Sequence, residues 1–168
     1  KKVISKNRSF FQYGWYFGFG YFLFSLYWII ISLTFDQSFK FLIPFSLIIL
    51  PAFMAIFYGL IVYLFSIFYS RNVTSSFLIF SILYGSVEFI RGFVLTGFPW
   101  NLVSFSFSGN IYFIQILSVI GTYSFNLICI SLFTVPALFI LRNSTKEIIV
   151  CFSFILLSVA FLIFGKIK

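Results

Sequence analysis

FLIPFSLIILPAFMAIFYGLIVYLFSIFY, residues 41–69, contains no charged side chain. A helix rises 1.5 Å per residue and the hydrocarbon core of a bilayer is about 30 Å thick, so about 20 consecutive apolar residues make one span. This run is longer than that requirement. Pro44 and Pro51 both fall in its first half, where proline can start a helix or kink one. The stretch therefore reads as one tilted or kinked transmembrane helix.

Four further stretches have the same character: Trp15 to Leu33, Phe77 to Leu95, Ile111 to Leu141 and Ile148 to Phe164, each bounded by Lys, Arg, Asp, Asn, Ser or Gly. Pro136, near the end of the fourth, allows a kink or an early exit. The fold expected is an all-α polytopic transmembrane helix bundle of about five spans, occupying the whole of 1–168 as one membrane domain. Composition agrees, since 62% of the residues are hydrophobic and only 8% charged, against about 25% charged in soluble domains. A chain of 168 residues has too much surface for its volume to hide so much Phe, Ile and Leu from water. There is no internal repeat, soluble domain or flexible linker.

The net charge of +8 would suggest nucleic acid on a soluble face, but the basic residues lie at the edges of apolar runs and read as topology signals, so no nucleic-acid partner is expected. With the N-terminus cytoplasmic, that side receives Lys1, Lys2, Lys6, Arg8, Arg71, Arg142 and Lys146, and the other side only Lys40, Lys166 and Lys168. This places the segment from Thr96 to Asn110 and the C-terminus together on the outer side. Histidine is absent, and Cys129 and Cys151 both lie inside apolar runs, where a thiol behaves as a small hydrophobe. No metal, cofactor, disulfide or thiol nucleophile is expected. The chain starts Lys1-Lys2 with no methionine and no signal-peptide cleavage site, as a fragment would.

Glu88 and Arg91 are the informative residues, because each would cost about 2.5 to 3.5 kcal/mol at the centre of an inserting helix. Three apart on the third span, they share a face and can pair, and Arg91 lies close enough to the outer end to snorkel. Ser81, Gly85 and Gly92 fall on the Glu88 face and would let another helix approach, so Glu88 should point into the bundle. Two readings stand: a pair that merely locks helices, or a polar patch under a substrate headgroup. On the fourth span Gln115, Ser118, Thr122, Asn126 and Cys129 fall within roughly a 90° arc of a continuous helix, a polar face suited to interhelical hydrogen bonds or to a ligand or proton path. Gly14, Gly18 and Ser25 give the first span a packing side. Between the third and fourth spans, Thr96-Gly97-Phe98-Pro99-Trp100-Asn101 breaks the helix and puts Trp100 where an indole favours the membrane interface.

The run Glu88-Phe89-Ile90-Arg91-Gly92-Phe93-Val94-Leu95-Thr96-Gly97-Phe98-Pro99-Trp100 resembles the E-F-x-R…T-G-F-P-W signature of bacterial apolipoprotein N-acyltransferase. Gly14-Trp15-Tyr16-Phe17-Gly18-Phe19-Gly20 with Tyr27-Trp28, and Ile114-Gln115 with Gly121-Thr122-Tyr123-Ser124-Phe125-Asn126, resemble the family's neighbouring spans. The resemblance covers nearly the whole chain. It implies a bacterial inner-membrane protein with a cytoplasmic N-terminus and a periplasmic C-terminus. It also implies an enzyme whose acyl donor is membrane phospholipid and whose acceptor is the N-terminal cysteine of a diacylglyceryl apolipoprotein, with a thioester on a cysteine between the two. In that family the catalytic Cys, Glu and Lys belong to an extracytoplasmic nitrilase-like domain between the last two of eight helices. Compared with it, this chain starts after the second helix and stops after the seventh, so it is expected to bind lipid without being catalytic, and a separate nitrilase-like chain is a possible partner. No residue here is assigned a catalytic role. The substrate-binding candidates are Glu88, Arg91, Pro99 and Trp100, as headgroup contacts, structural pair or cavity rim. The alternatives are a small transporter or channel subunit, or an inactive remnant.

Overall fold

The computed structural model describes residues 2–94 and 101–168. Among them every regular element is helical: α1 (Lys2–Ser25), α2 (Trp28–Thr34), α3 (Ile43–Phe68), α4 (Val73–Arg91), α5 (Ile111–Ile114), α6 (Leu117–Ile120), α7 (Thr122–Ile140) and α8 (Thr145–Ile167), with short 3₁₀ turns at Gln37–Leu42 and Val103–Phe107. Four of the helices, α3, α4, α7 and α8, are long and apolar enough to cross a bilayer singly, and α1 with α2 makes a fifth candidate bent by 47°. The protein is an all-α, multi-pass membrane protein. Its chain divides into two compact units, Lys1–Phe68 and Tyr69–Lys168.

In the first unit α1 lies antiparallel against α3, and two glycines of α1 decide how close they come. A Cβ on Gly14 would sit 2.5 Å from the Tyr58 carbonyl oxygen, and one on Gly18 would sit 2.6 Å from the Tyr58 Cβ. Small residues at these two positions let the backbones meet, the usual means of association where lipid removes the hydrophobic drive between helices. Tyr58, 3% exposed, fills the seam and packs edge-on to Phe22 at 5.1 Å between ring centres. Pro44 stands in the first turn of α3, where its missing N–H costs nothing, and Pro51 lies inside the helix. Close to Pro51, the Trp15 indole N–H donates to the Ala52 carbonyl at 3.1 Å, tying the helices together where the ladder is weakest.

In the second unit α4, α7 and α8 pack side by side. Gly85 of α4 faces Leu127, Phe77 shares a cluster with Val135 and Leu138, and Cys151 of α8 joins that cluster. At the other end Phe113, Ile116, Phe125, Cys129 and Phe161 form a second apolar core, with Phe107 stacked on Phe113 at 4.4 Å. Both helix starts at the first end are capped. The Asn72 side chain accepts from the Ser75 N–H at 3.0 Å, so α4 begins four residues ahead of its apolar run. Ser144 and Glu147 form a capping box on α8, and the Thr74 hydroxyl donates to Glu147 at 3.0 Å, joining the two starts.

Two spans differ from the uninterrupted helices that hydropathy suggests. The first bends between Ser25 and Trp28, at a place with neither Gly nor Pro in the turn. The stretch 111–141 is broken at Gly121, whose φ of 76° and ψ of 166° lie in a region open essentially to glycine alone. Only α7, from Thr122, has spanning length; α5 and α6 are single turns packed beneath it and against α8, where Gly165 lets the Tyr112 carbonyl approach.

A buried polar network at one end of the helices

The four N–H groups that open any helical segment need acceptors, and a segment buried in an apolar bundle cannot take them from water. The 3₁₀ turn Val103–Phe107 has Leu102 at its N-cap, which offers no side-chain acceptor. One of its opening donors is satisfied from another helix. The Ser104 N–H donates to Oδ1 of Asn126 on α7 at 2.9 Å, and Asn126 in turn bonds Glu88 on α4.

Glu88 completes the arrangement. Its Oε2 accepts from the Asn126 side-chain N–H at 2.5 Å, and its Oε1 lies 3.3 Å from Nη2 of Arg91. Glu88, Arg91 and Asn126 are each 1% exposed. One acidic and one basic side chain thus sit together out of contact with solvent, hydrogen-bonded to each other, the arrangement in which a buried pair is tolerated. Both carboxylate oxygens are engaged inside the protein.

The expected face of α4 is the one that packs. Gly85 meets Leu127, and Gly92 leaves room for the Tyr123 hydroxyl beside it. Above them Phe89, Phe93 and Tyr123 form an aromatic group with Phe89 edge-on to Tyr123 at 4.9 Å. Beside this group an open groove of about 460 Å³ runs between α4 and α7, lined by Ile82, Gly85, Phe89, Tyr123 and Leu127 among others. The basic residues Arg71, Arg142 and Lys146 lie at the opposite end of these helices, with the helix starts.

Of the four sequence-derived site residues, the structure brings Glu88 and Arg91 together, while Pro99 and Trp100 fall outside the described residues. Asn126 is where its polar face implied, and its bond is interhelical. Gln115 and Ser118 do not share its helix, because the break at Gly121 separates them from α7. The Ser104 amide carries no side-chain signature and was not legible in the sequence. Cys129 and Cys151 are buried at 1% and 4% exposure as parts of the two cores. Among the described residues no three His, Cys, Asp or Glu side chains come together.

The network, the aromatic group and the groove all belong to residues 82–127, and a family model covers them. The apolipoprotein N-acyltransferase N-terminal domain model matches residues 2–133. The chain belongs to that family. Curated apolipoprotein N-acyltransferases align with most of it: 35% identity over 86% of this chain for the Rhizobium etli protein, 38% over 82% for that of Rhizobium leguminosarum bv. trifolii, and 35% over 94% for that of Rickettsia typhi. The matched part is 27%, 26% and 32% of those relatives' own lengths, so the chain spans about a third of them or less. Glu88, Arg91, Ser104 and Asn126 all lie inside the matched domain.

Proposed function

We propose that this chain is the membrane portion of an apolipoprotein N-acyltransferase and that its part in the reaction is to hold lipid. The acyl donor is membrane phospholipid and the acceptor a diacylglyceryl apolipoprotein. The catalytic Cys, Glu and Lys are supplied by a nitrilase-like domain, in the same polypeptide or on a separate chain. Membership of the family carries this reading. In support, the groove between α4 and α7 has the apolar walls an acyl chain needs, and it opens beside the end of α4 that carries the polar network. We assign Arg91 and Glu88 to the substrate site as the buried pair that supports it from below, and Pro99 and Trp100 as its rim. Neither Cys129 nor Cys151 acts as a nucleophile, since both are buried in apolar cores. These 168 residues by themselves form no acyl-enzyme.

The orientation proposed is N-terminus cytoplasmic and C-terminus periplasmic in a bacterial inner membrane. It rests on the segregation of Arg71, Arg142 and Lys146 to the end of the second unit away from the network.

A chimera tests the proposal. The aligned membrane region of the Rhizobium etli relative is replaced by this chain, and N-acylation of lipoproteins is followed by mass spectrometry in cells depleted of their own enzyme. The expected result is acylation by the chimera and its loss with Trp100→Ala. A chimera that inserts stably and leaves lipoproteins unacylated overturns the reading, as does Glu88-dependent solute transport by the reconstituted chain.

A further inference from the structure

We propose that Asn126 is a positioning residue: together with Glu88 it forms a latch that holds the Val103–Phe107 turn against α4 and α7. Its side-chain amide offers a donor and an acceptor at once. The amide nitrogen donates to the Glu88 carboxylate at 2.5 Å while the amide oxygen accepts from the Ser104 N–H at 2.9 Å. A hydrocarbon side chain does neither, and a carboxylate loses the donor. Among the described residues the turn's own side chains add few other polar ties to the bundle. Leu102 supplies no cap, and the Ser104 hydroxyl, on a residue 3% exposed, makes no hydrogen bond of its own. Apolar contacts of Val103 and Phe107 with the Phe113–Phe125 core hold the turn loosely in register, since such contacts are not directional. The directional restraint comes through Asn126.

The consequence for the lipid site rests on the function proposed above. Glu88 stands next to Phe89 on α4 and Asn126 next to Leu127 on α7, and Phe89 and Leu127 both line the groove, so the Glu88–Asn126 contact that holds the turn also joins the two walls of the groove. Asn126 thereby acts on the site by holding its walls and the turn together, with no contact to substrate required.

The latch is tested without any measurement of acylation. Ser104→Cys places a thiol on the turn, and because the Ser104 hydroxyl is unbonded, the Ser104 amide bond to Asn126 is left intact. The full chain is reconstituted in vesicles and labelled with a small water-soluble maleimide, with mass spectrometry reporting each thiol. Cys129 and Cys151, both buried, report on the bundle itself. In the Ser104→Cys parent the introduced thiol labels slowly. Adding Asn126→Leu or Asn126→Asp raises its rate about tenfold or more, the scale of one lost charge-assisted hydrogen bond, with Cys129 and Cys151 still protected. Combining Asn126→Asp with Glu88→Gln exchanges donor and acceptor across the same contact, leaves the net charge unchanged and returns the rate to within about twofold of the parent. An unchanged rate with Asn126→Leu overturns the latch. So does parallel labelling of Cys129 and Cys151, which would make the network a support of the whole bundle, and so does a double variant that fails to restore protection. A working latch with an inactive chimera would instead sink the functional reading and leave the latch standing.

Discussion

Glu88→Ala is expected to be among the most damaging single substitutions in the second unit. The carboxylate it deletes lies 3.3 Å from Arg91 and 2.5 Å from the Asn126 amide, with both partners 1% exposed. Removing one member of a buried pair leaves the other charge without compensation, which costs about 3–5 kcal/mol. Glu88→Gln keeps the shape and one acceptor, so it should cost less, about 1.5–3 kcal/mol for the lost charge assistance. Replacing both members with hydrocarbon of similar size, Glu88→Leu with Arg91→Met, removes the stranded charge. What remains is the Asn126 donor without its acceptor, about 1–3 kcal/mol. The order of stability is therefore parent, then Glu88→Gln and the double variant close together, then Glu88→Ala. Unfolding of the purified chain in mixed micelles, followed by far-ultraviolet circular dichroism, gives the ranking. A Glu88→Ala chain within about 1 kcal/mol of the parent, or a double variant no better than the single, would refute the reasoning.

The glycines make contrasting cases. Gly14→Ala drives a methyl to 2.5 Å from the Tyr58 carbonyl and 2.8 Å from Val62, costing about 1–3 kcal/mol of overpacking. Gly20→Ala, which meets nothing within 4 Å, should be neutral or stabilising by up to about 1 kcal/mol; the same unfolding assay separates them, and equal effects would contradict the close α1–α3 approach. Gly121→Ala forces an L residue to φ 76° and should cost about 1–3 kcal/mol, whereas a continuous helix through 111–141 would be stabilised by the same change. Thr74→Val deletes the bond to Glu147 and should lower stability by about 1 kcal/mol, an effect absent when Glu147 is already changed to Ala.

Much of this architecture was open to reading because lipid imposes it. The charge-free run around α3 and the capped, charged ends of α8 state their spans through length and composition, and the resemblance carried by Glu88 to Trp100 led to the family that the domain comparison identifies. The inward direction of Glu88 followed from the small residues Ser81, Gly85 and Gly92 on its face. Asn126 was legible as polar in the wrong place, but not as the partner of Glu88, since hydrogen-bond partners 38 residues apart leave no periodic trace. The polar arc from Gln115 to Cys129 was drawn on a helix that Gly121 interrupts. Counting 100° per residue holds only while φ stays helical, and a positive φ resets the phase. The bend after Ser25 has no Gly or Pro to announce it. The Ser104 donor is a backbone group, alike in every residue but proline, so its place in the network could come only from the structure.

The lipid-holding role is tested most directly by photocrosslinking. The chain is reconstituted in vesicles doped with a phospholipid bearing a photoreactive group on one acyl chain, and the adducts are mapped by mass spectrometry. The expected adducts concentrate on peptides from Ile82 to Phe107 and from Tyr123 to Leu127, the groove and the end of α4 beside it. Adducts spread evenly over the lipid-exposed faces of α3, α4, α7 and α8 would contradict a dedicated lipid site.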